Sequence, residues 1–230
     1  MTTILITPPA VEPISLAQGR AWLKETNVGD DIDEKIMLAI RAVREVCEND
    51  CRRSFISQQW KLVLDRFPGP NSDISSANQY GPAWGTGPGP LSMLGAGQTS
   101  GYELYLPHPP IISVDAIEFT DPNGVLQSLI PGTDPAVSLA TSSDLAEGLL
   151  VPSVTSNWPG TSRGSRVAVI YTAGYGTDAS AVPACAILWM RQHLGTVYET
   201  VQSEQMAWRE TLTVSPFSDR LLDPIRMRRY

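Results

Sequence analysis

At 230 residues, 42 % of them hydrophobic, the chain can bury a real core and reads as one domain, or one domain with a large insertion, better than as two independent domains. A formal net charge of −7 excludes a generic basic nucleic-acid binder, since affinity for phosphate comes mainly from Lys and Arg. Three cysteines argue against a disulfide framework, and no apolar run approaches the roughly 20 residues needed to cross a bilayer, so the chain is expected in a cytosol with its thiols reduced.

The first helix signal is Ser15-Leu16-Ala17-Gln18, a capping box that starts a short helix running to about Thr26. After the turn Asn27-Val28-Gly29-Asp30, apolar residues recur at three- and four-residue steps: Ile32, Ile36, Ala39/Ile40, Val43 and Val46/Cys47. Glu34, Lys35, Arg41, Arg44, Glu45 and Glu48 fill the other face. This predicts a long amphipathic helix over Asp31–Arg53. From Gln59 the period changes, and Trp60 to Phe67 reads as a strand. Pro68 to Gly101, rich in Gly, Pro, Ser and Asn, reads as a long exposed loop of the kind that carries function or moves.

Strand signals resume over Tyr102–Leu106 and Ile111–Phe119, on either side of Pro107-His108-Pro109-Pro110. Asp121-Pro122-Asn123-Gly124 is a turn, because Pro presets φ and Asn-Gly tolerates positive φ, and Val125–Ile130 is the returning strand. A polar, Gly/Pro-punctuated stretch runs to Arg166, followed by a strand over Val167–Tyr171. Pro183 opens a last helix whose stripe is Ile187, Met190, Leu194 and Val197/Tyr198 and which ends near Thr200. The pattern is α+β: a small helical bundle carrying a β-rich insertion and an extended C-terminal tail. The divisions fall at 1–58 (N-terminal helices), 59–176 (insertion), 177–202 (closing helix) and 203–230 (tail).

Candidate chemistry is sparse. Cys47 and Cys51, four apart on a helix, lack the further ligands a structural zinc needs and read as packing residues. His108 and His193 have no carboxylate or nucleophile nearby in sequence. Cys185 and His193, eight residues apart on one helix, are about 12 Å from each other, too far for nucleophile activation. Gly85-Thr86-Gly87-Pro88-Gly89 lacks the Lys-Ser/Thr of a phosphate loop. Asp30, Asp31, Asp33 and Glu34 lack EF-hand spacing and oppose the helix macrodipole. Trp84, Tyr102, Tyr105 and Trp158 would suit a sugar platform, though scattered aromatics are more often core or subunit contacts. No cofactor, no metal and no catalytic residue is expected, and the chain reads as a part in an assembly.

The run Tyr105-Leu106-Pro107-His108-Pro109-Pro110-Ile111 through Phe119-Thr120-Asp121-Pro122-Asn123-Gly124 resembles the central segment of the head–tail connector (adaptor) proteins of long-tailed bacteriophages and gene transfer agents. Asn157-Trp158-Pro159, Val167 to Tyr175, and Val182-Pro183 with the helix after it resemble, in the same order, that family's tryptophan–proline turn, closing strand with glycine corner, and last core helix. Pro13 to Ala17 and Cys51 to Phe55 also fit; Glu199 to Pro216 matches nothing in the family pattern, and the 68–101 loop exceeds it.

The resemblance implies a structural virion protein at the head–tail interface, assembled in the host cytoplasm. Twelve copies would form a ring between the portal and a stopper or tail-terminator protein, continuing a channel that double-stranded DNA crosses without specific binding and without any membrane. It also implies that the tail reaches the portal. Leu221, Leu222, Pro224, Ile225 and Met227 would supply apolar contacts, Arg220, Arg226, Arg228 and Arg229 would pair with carboxylates, and Tyr230 would complete a segment expected to stay mobile until docked. The alternative is a carbohydrate- or receptor-binding module of a phage particle.

Overall fold

A computed structural model describes residues 2–68, 104–129, 137–141, 148–152, 158–162, 164–202 and 220–227. Its elements in chain order are β1 (Thr2–Thr7), α1 (Leu16–Leu23), α2 (Asp30–Cys51), β2 (Gln58–Leu64), β3 (Leu104–Leu106), β4 (Ile111–Thr120), β5 (Leu126–Leu129), β6 (Val137–Thr141), β7 (Gly148–Pro152), β8 (Val167–Ala173), a 3-10 turn (Ala179–Ala181) and α3 (Ala184–Gln202). The fold is α+β. It divides into two compact units, one of Met1–Ile6, Gln59–Pro107 and Ser113–Thr172, the other of Thr7–Gln58, His108–Ile112 and Ala173–Tyr230.

In the helical unit, Ser15 accepts from Gln18 N–H while Gln18 Oε1 accepts from Ser15 N–H, so the capping box forms as its sequence predicts. Helix α1 stops three residues short of Thr26 because Lys24 turns into the left-handed region at φ 55°. Helix α2 ends at Cys51 for the same reason, with Arg52 at φ 56°. Its buried stripe of Ile36, Ala39, Ile40, Val43 and Cys47 packs in one core with Ala186, Trp189, Met190, Leu194 and Tyr198 of α3. On α2 this is the face the sequence period predicts; on α3 Met190, Leu194 and Tyr198 match the predicted stripe, Ala186 and Trp189 join it, and Ile187 and Val197 are only partly buried. Gly19 lets α1 lie close on α2, since a Cβ there would stand 3.0 Å from Ile40 Cδ1 and 3.2 Å from Ile36 Cγ2.

In the sheet unit a five-stranded sheet has the order β1-β2-β8-β4-β5, and a three-stranded sheet the order β3-β7-β6. Strand β8 alternates strictly, burying Val167, Val169, Tyr171 and Ala173. The β4–β5 hairpin is antiparallel, with Ile117 opposite Leu129 and Thr120 opposite Leu126. Its turn forms as the Asp-Pro-Asn-Gly run predicts: Asp121 Oδ1 accepts from Asn123 N–H and Val125 N–H at 2.9 Å each, and Gly124 takes φ 85°. These bonds, led by Val125 N–H, hold the Asp121 carboxyl below its ordinary pKa.

Three elements depart from the sequence reading. β1 occupies a segment to which no element was assigned. β6 and β7 lie in the stretch read as polar loop; Leu139 stands opposite Leu150, which also faces Leu104 of β3. Apart from Pro68, the long 68–101 loop lies outside the described residues, as do 203–219 and Arg228–Tyr230.

Candidate functional site

The candidate docking residues 220–227 do not form a free tail. Leu222 is fully buried and Ile225 nearly so, both within the core that α2 and α3 build. The segment winds into a helical turn, Arg226 N–H bonding to Leu222 C=O at 2.8 Å, and Met227 N–H then reaches Cys51 C=O at 3.1 Å. Arg53 Nε donates to Ile225 C=O at 2.5 Å, and Arg226 pairs with Asp50. The C-terminal turn thus satisfies a carbonyl at the end of α2, which a helix leaves unpaired. This corrects the expectation of a segment mobile until docked. Arg220, Asp223 and Pro224 are exposed and Leu221, Arg226 and Met227 half-buried, so only part of the proposed contact surface faces outward.

The same end of α2 carries a buried ionic network. Glu48 Oε1 accepts from Phe55 N–H (2.7 Å) and Gln58 Nε2 (3.0 Å), while its Oε2 accepts from Arg44 Nη1 (2.7 Å). Arg44 Nε donates to Glu12 Oε2 at 2.8 Å. Burial pushes the Glu48 carboxyl above its ordinary pKa of 4.5, outweighing the Arg44 charge and the hydrogen bonds that pull it down. Arg44 is held above its ordinary value by the two carboxylates, although burial opposes them. The Arg44–Glu48 spacing of four on a helix is legible in the sequence; the contribution of Glu12, 32 residues away, is not.

No catalytic arrangement emerges among the described residues. Cys47 and Cys51 are fully buried, and the hydrogen bond that the Cys47 thiol donates to Cys51, with burial, raises the Cys47 thiol far above reactivity. His193 Nδ1 lies 2.8 Å from Trp189 C=O and its ring stacks on Trp189 at 4.0 Å. Burial lowers the pKa of His108. Asp33 pairs with Arg20, and no group of three or more His, Cys, Asp or Glu residues is placed to hold a metal among the described residues. Nor is any described helix long and apolar enough to cross a membrane. Trp158 is core rather than platform, stacked on Phe67 at 4.8 Å; Tyr105 is half-exposed, and Trp84 and Tyr102 lie outside the described residues.

One surface feature escaped the sequence reading. Strand β1 is an edge of the five-stranded sheet and exposes Ile4, Leu5 and Ile6 in succession. Its signal was present in Thr2-Thr3-Ile4-Leu5-Ile6-Thr7, an uncharged run in which every residue but Leu5 is β-branched.

No protein-family model matches the chain, and no curated protein sequence matches it. Solved structures do. A chain in the neck of an empty gene transfer agent (GTA) particle, computed with C6 symmetry, superposes with TM-score 0.68 at 18 % identity, over 100 % of this chain and 97 % of that one. A chain of the native GTA virion gives TM-score 0.66 at 19 % identity, and one from the native GTA neck, computed with C12 symmetry, gives 0.63 at 18 %, both with the same coverage. The chain therefore has, end to end, a fold found in gene transfer agent particles.

Proposed function

We propose that this chain is a structural virion protein of a particle neck, a ring-forming adaptor between the portal and the next connector or tail component, with no enzymatic role. The observation that carries the reading is the match to chains from particle necks, over 100 % of this chain and 97 % of that neighbour. Twelve copies in a ring would continue the DNA channel, and one of the matching necks was computed with C12 symmetry. The site chemistry supports an architectural role, since buried Arg44 pairs with Glu12 and Glu48, and Cys47 and Cys51 are sealed in the core while Cys185 is partly buried.

Portal docking through the C-terminus belongs to the same proposal. With Leu222 and Ile225 committed to the protomer core, the contacts fall to Arg220, Leu221, Pro224, Arg226 and Met227, together with Arg228, Arg229 and Tyr230 beyond the described turn. Quantitative mass analysis of purified particles tests the reading. The expected result is twelve copies per particle beside the portal; a single copy, or none, overturns it.

A further inference from the structure

The five-stranded sheet ends in two edges, β1 and β5, and no described strand pairs with the outer side of either. An open edge presents a row of unpaired N–H and C=O groups, which proteins ordinarily guard with Lys, Pro or a bulge. Neither edge is guarded in this way: Thr2–Thr7 and Leu126–Leu129 contain no charged residue, no proline and no glycine. Successive residues Ile4, Leu5 and Ile6 are 50 %, 41 % and 45 % exposed, so β1 shows apolar groups on both faces of the strand. At the other edge Val125 and Leu126 are 53 % and 70 % exposed.

We propose that neighbouring copies of this chain join edge to edge, β1 of one continuing the sheet beside β5 of the next. A second copy is the favoured occupant because one sheet carries both open edges, so a single repeated contact covers the two together. A foreign strand would cover one and leave the other open. The edges differ, so the contact is heterologous and propagates around a closed ring, whereas β1 against β1 would be self-complementary and stop at a dimer. Four-residue β5 can pair with at most four of the six residues of β1. Twelve such sheets would give a wall of about 60 strands, and at about 4.8 Å per strand its circumference would be about 290 Å, a diameter of about 90 Å.

This inference rests on the ring reading above, and disulfide trapping in assembled particles separates the two. Leu5→Cys and Gln127→Cys in one chain, oxidised mildly, are expected to give a ladder of covalent multimers up to twelve. Either substitution alone should give none beyond the wild-type background from Cys47, Cys51 and Cys185. Dimers from Leu5→Cys alone would mean that β1 pairs with itself, and would overturn the proposal. So would the absence of a ladder in particles that hold twelve copies, a result that leaves the ring reading standing. Loss of the chain from unsubstituted particles overturns the ring reading and this inference with it. As a second variant, Ile4→Lys with Leu126→Lys guards both edges at exposed positions. The protomer should keep its wild-type melting temperature and lose the ring, and a ring of wild-type yield from it counts against edge pairing.

Discussion

Glu48 holds the corner after α2 by accepting three hydrogen bonds, from Arg44, Phe55 N–H and Gln58, all out of water. Glu48→Ala orphans two donors and leaves Arg44 half-paired, so a loss of about 3–5 kcal/mol in denaturant unfolding is expected. The carboxyl also titrates. Because burial raises its folded-state pKa above 4.5, the native state holds the proton more tightly than the unfolded chain does. Its contribution is therefore fully present below pH 4.5 and is lost as pH rises through the folded-state value. Relative to Glu48→Gln, the wild type should lose stability across that window; a gain would reverse the assigned direction. Gly174 makes a second, independent demand at the same corner. At φ 143°, any Cβ there would stand 2.6 Å from Ile56 C and Ser57 N, both backbone atoms that cannot swing away. Gly174→Ala should cost roughly 3 kcal/mol or more, read as a fall in the unfolding midpoint.

At the scale of elements, the α2–α3 core and the C-terminal turn behave as one piece. Ile36 and Leu194 are fully buried in the same cluster, and Ile36→Asp or Leu194→Asp should abolish cooperative unfolding. Leu222→Ala should cost about 2–5 kcal/mol by thermal or denaturant unfolding, the range for a fully enclosed leucine. Deleting Leu221–Tyr230 is accordingly expected to destabilise the protomer, whereas removing only Arg228–Tyr230 spares the packed turn and tests portal docking by itself, with untailed or leaking heads as the readout.

These elements also divide what the sequence made legible from what it did not. Helices α2 and α3 were readable because their apolar period of 3.6 runs for many turns, and β8 because Val167 to Tyr171 is a short apolar run closed by a glycine-containing turn. The C-terminal turn escaped because Leu221-Leu222-Asp223-Pro224-Ile225 is too short to show a period, and its partner Arg53 lies 172 residues away. Strands β6 and β7 escaped because both are short and embedded in Gly- and Pro-rich chain, and because the other partner of β7 is β3, far back in the sequence, with Leu104 opposite Leu150. Cys47 and Cys51, by contrast, were legible as packing residues from their four-residue spacing on a helix, and both are buried in the core.

For the whole molecule, charge decides how a ring would treat its cargo. Twelve copies at −7 carry a formal total of about −84, and the basic residues that would offset it locally are partly engaged: Arg20 with Asp33, Arg44 with Glu12 and Glu48, Arg226 with Asp50. A duplex held by neutralised phosphates would need several free Lys or Arg side chains per turn and would bind with a steep salt dependence. The acidic ring proposed above would provide the opposite condition, in which DNA would pass without being retained. Purified protein, as monomer or ring, should therefore leave duplex DNA unshifted in a gel at about 50 mM salt, where electrostatic binding is strong. A shifted band that disappears at higher salt would reveal a basic surface and remove the argument that the proposed channel would conduct DNA by failing to attract it.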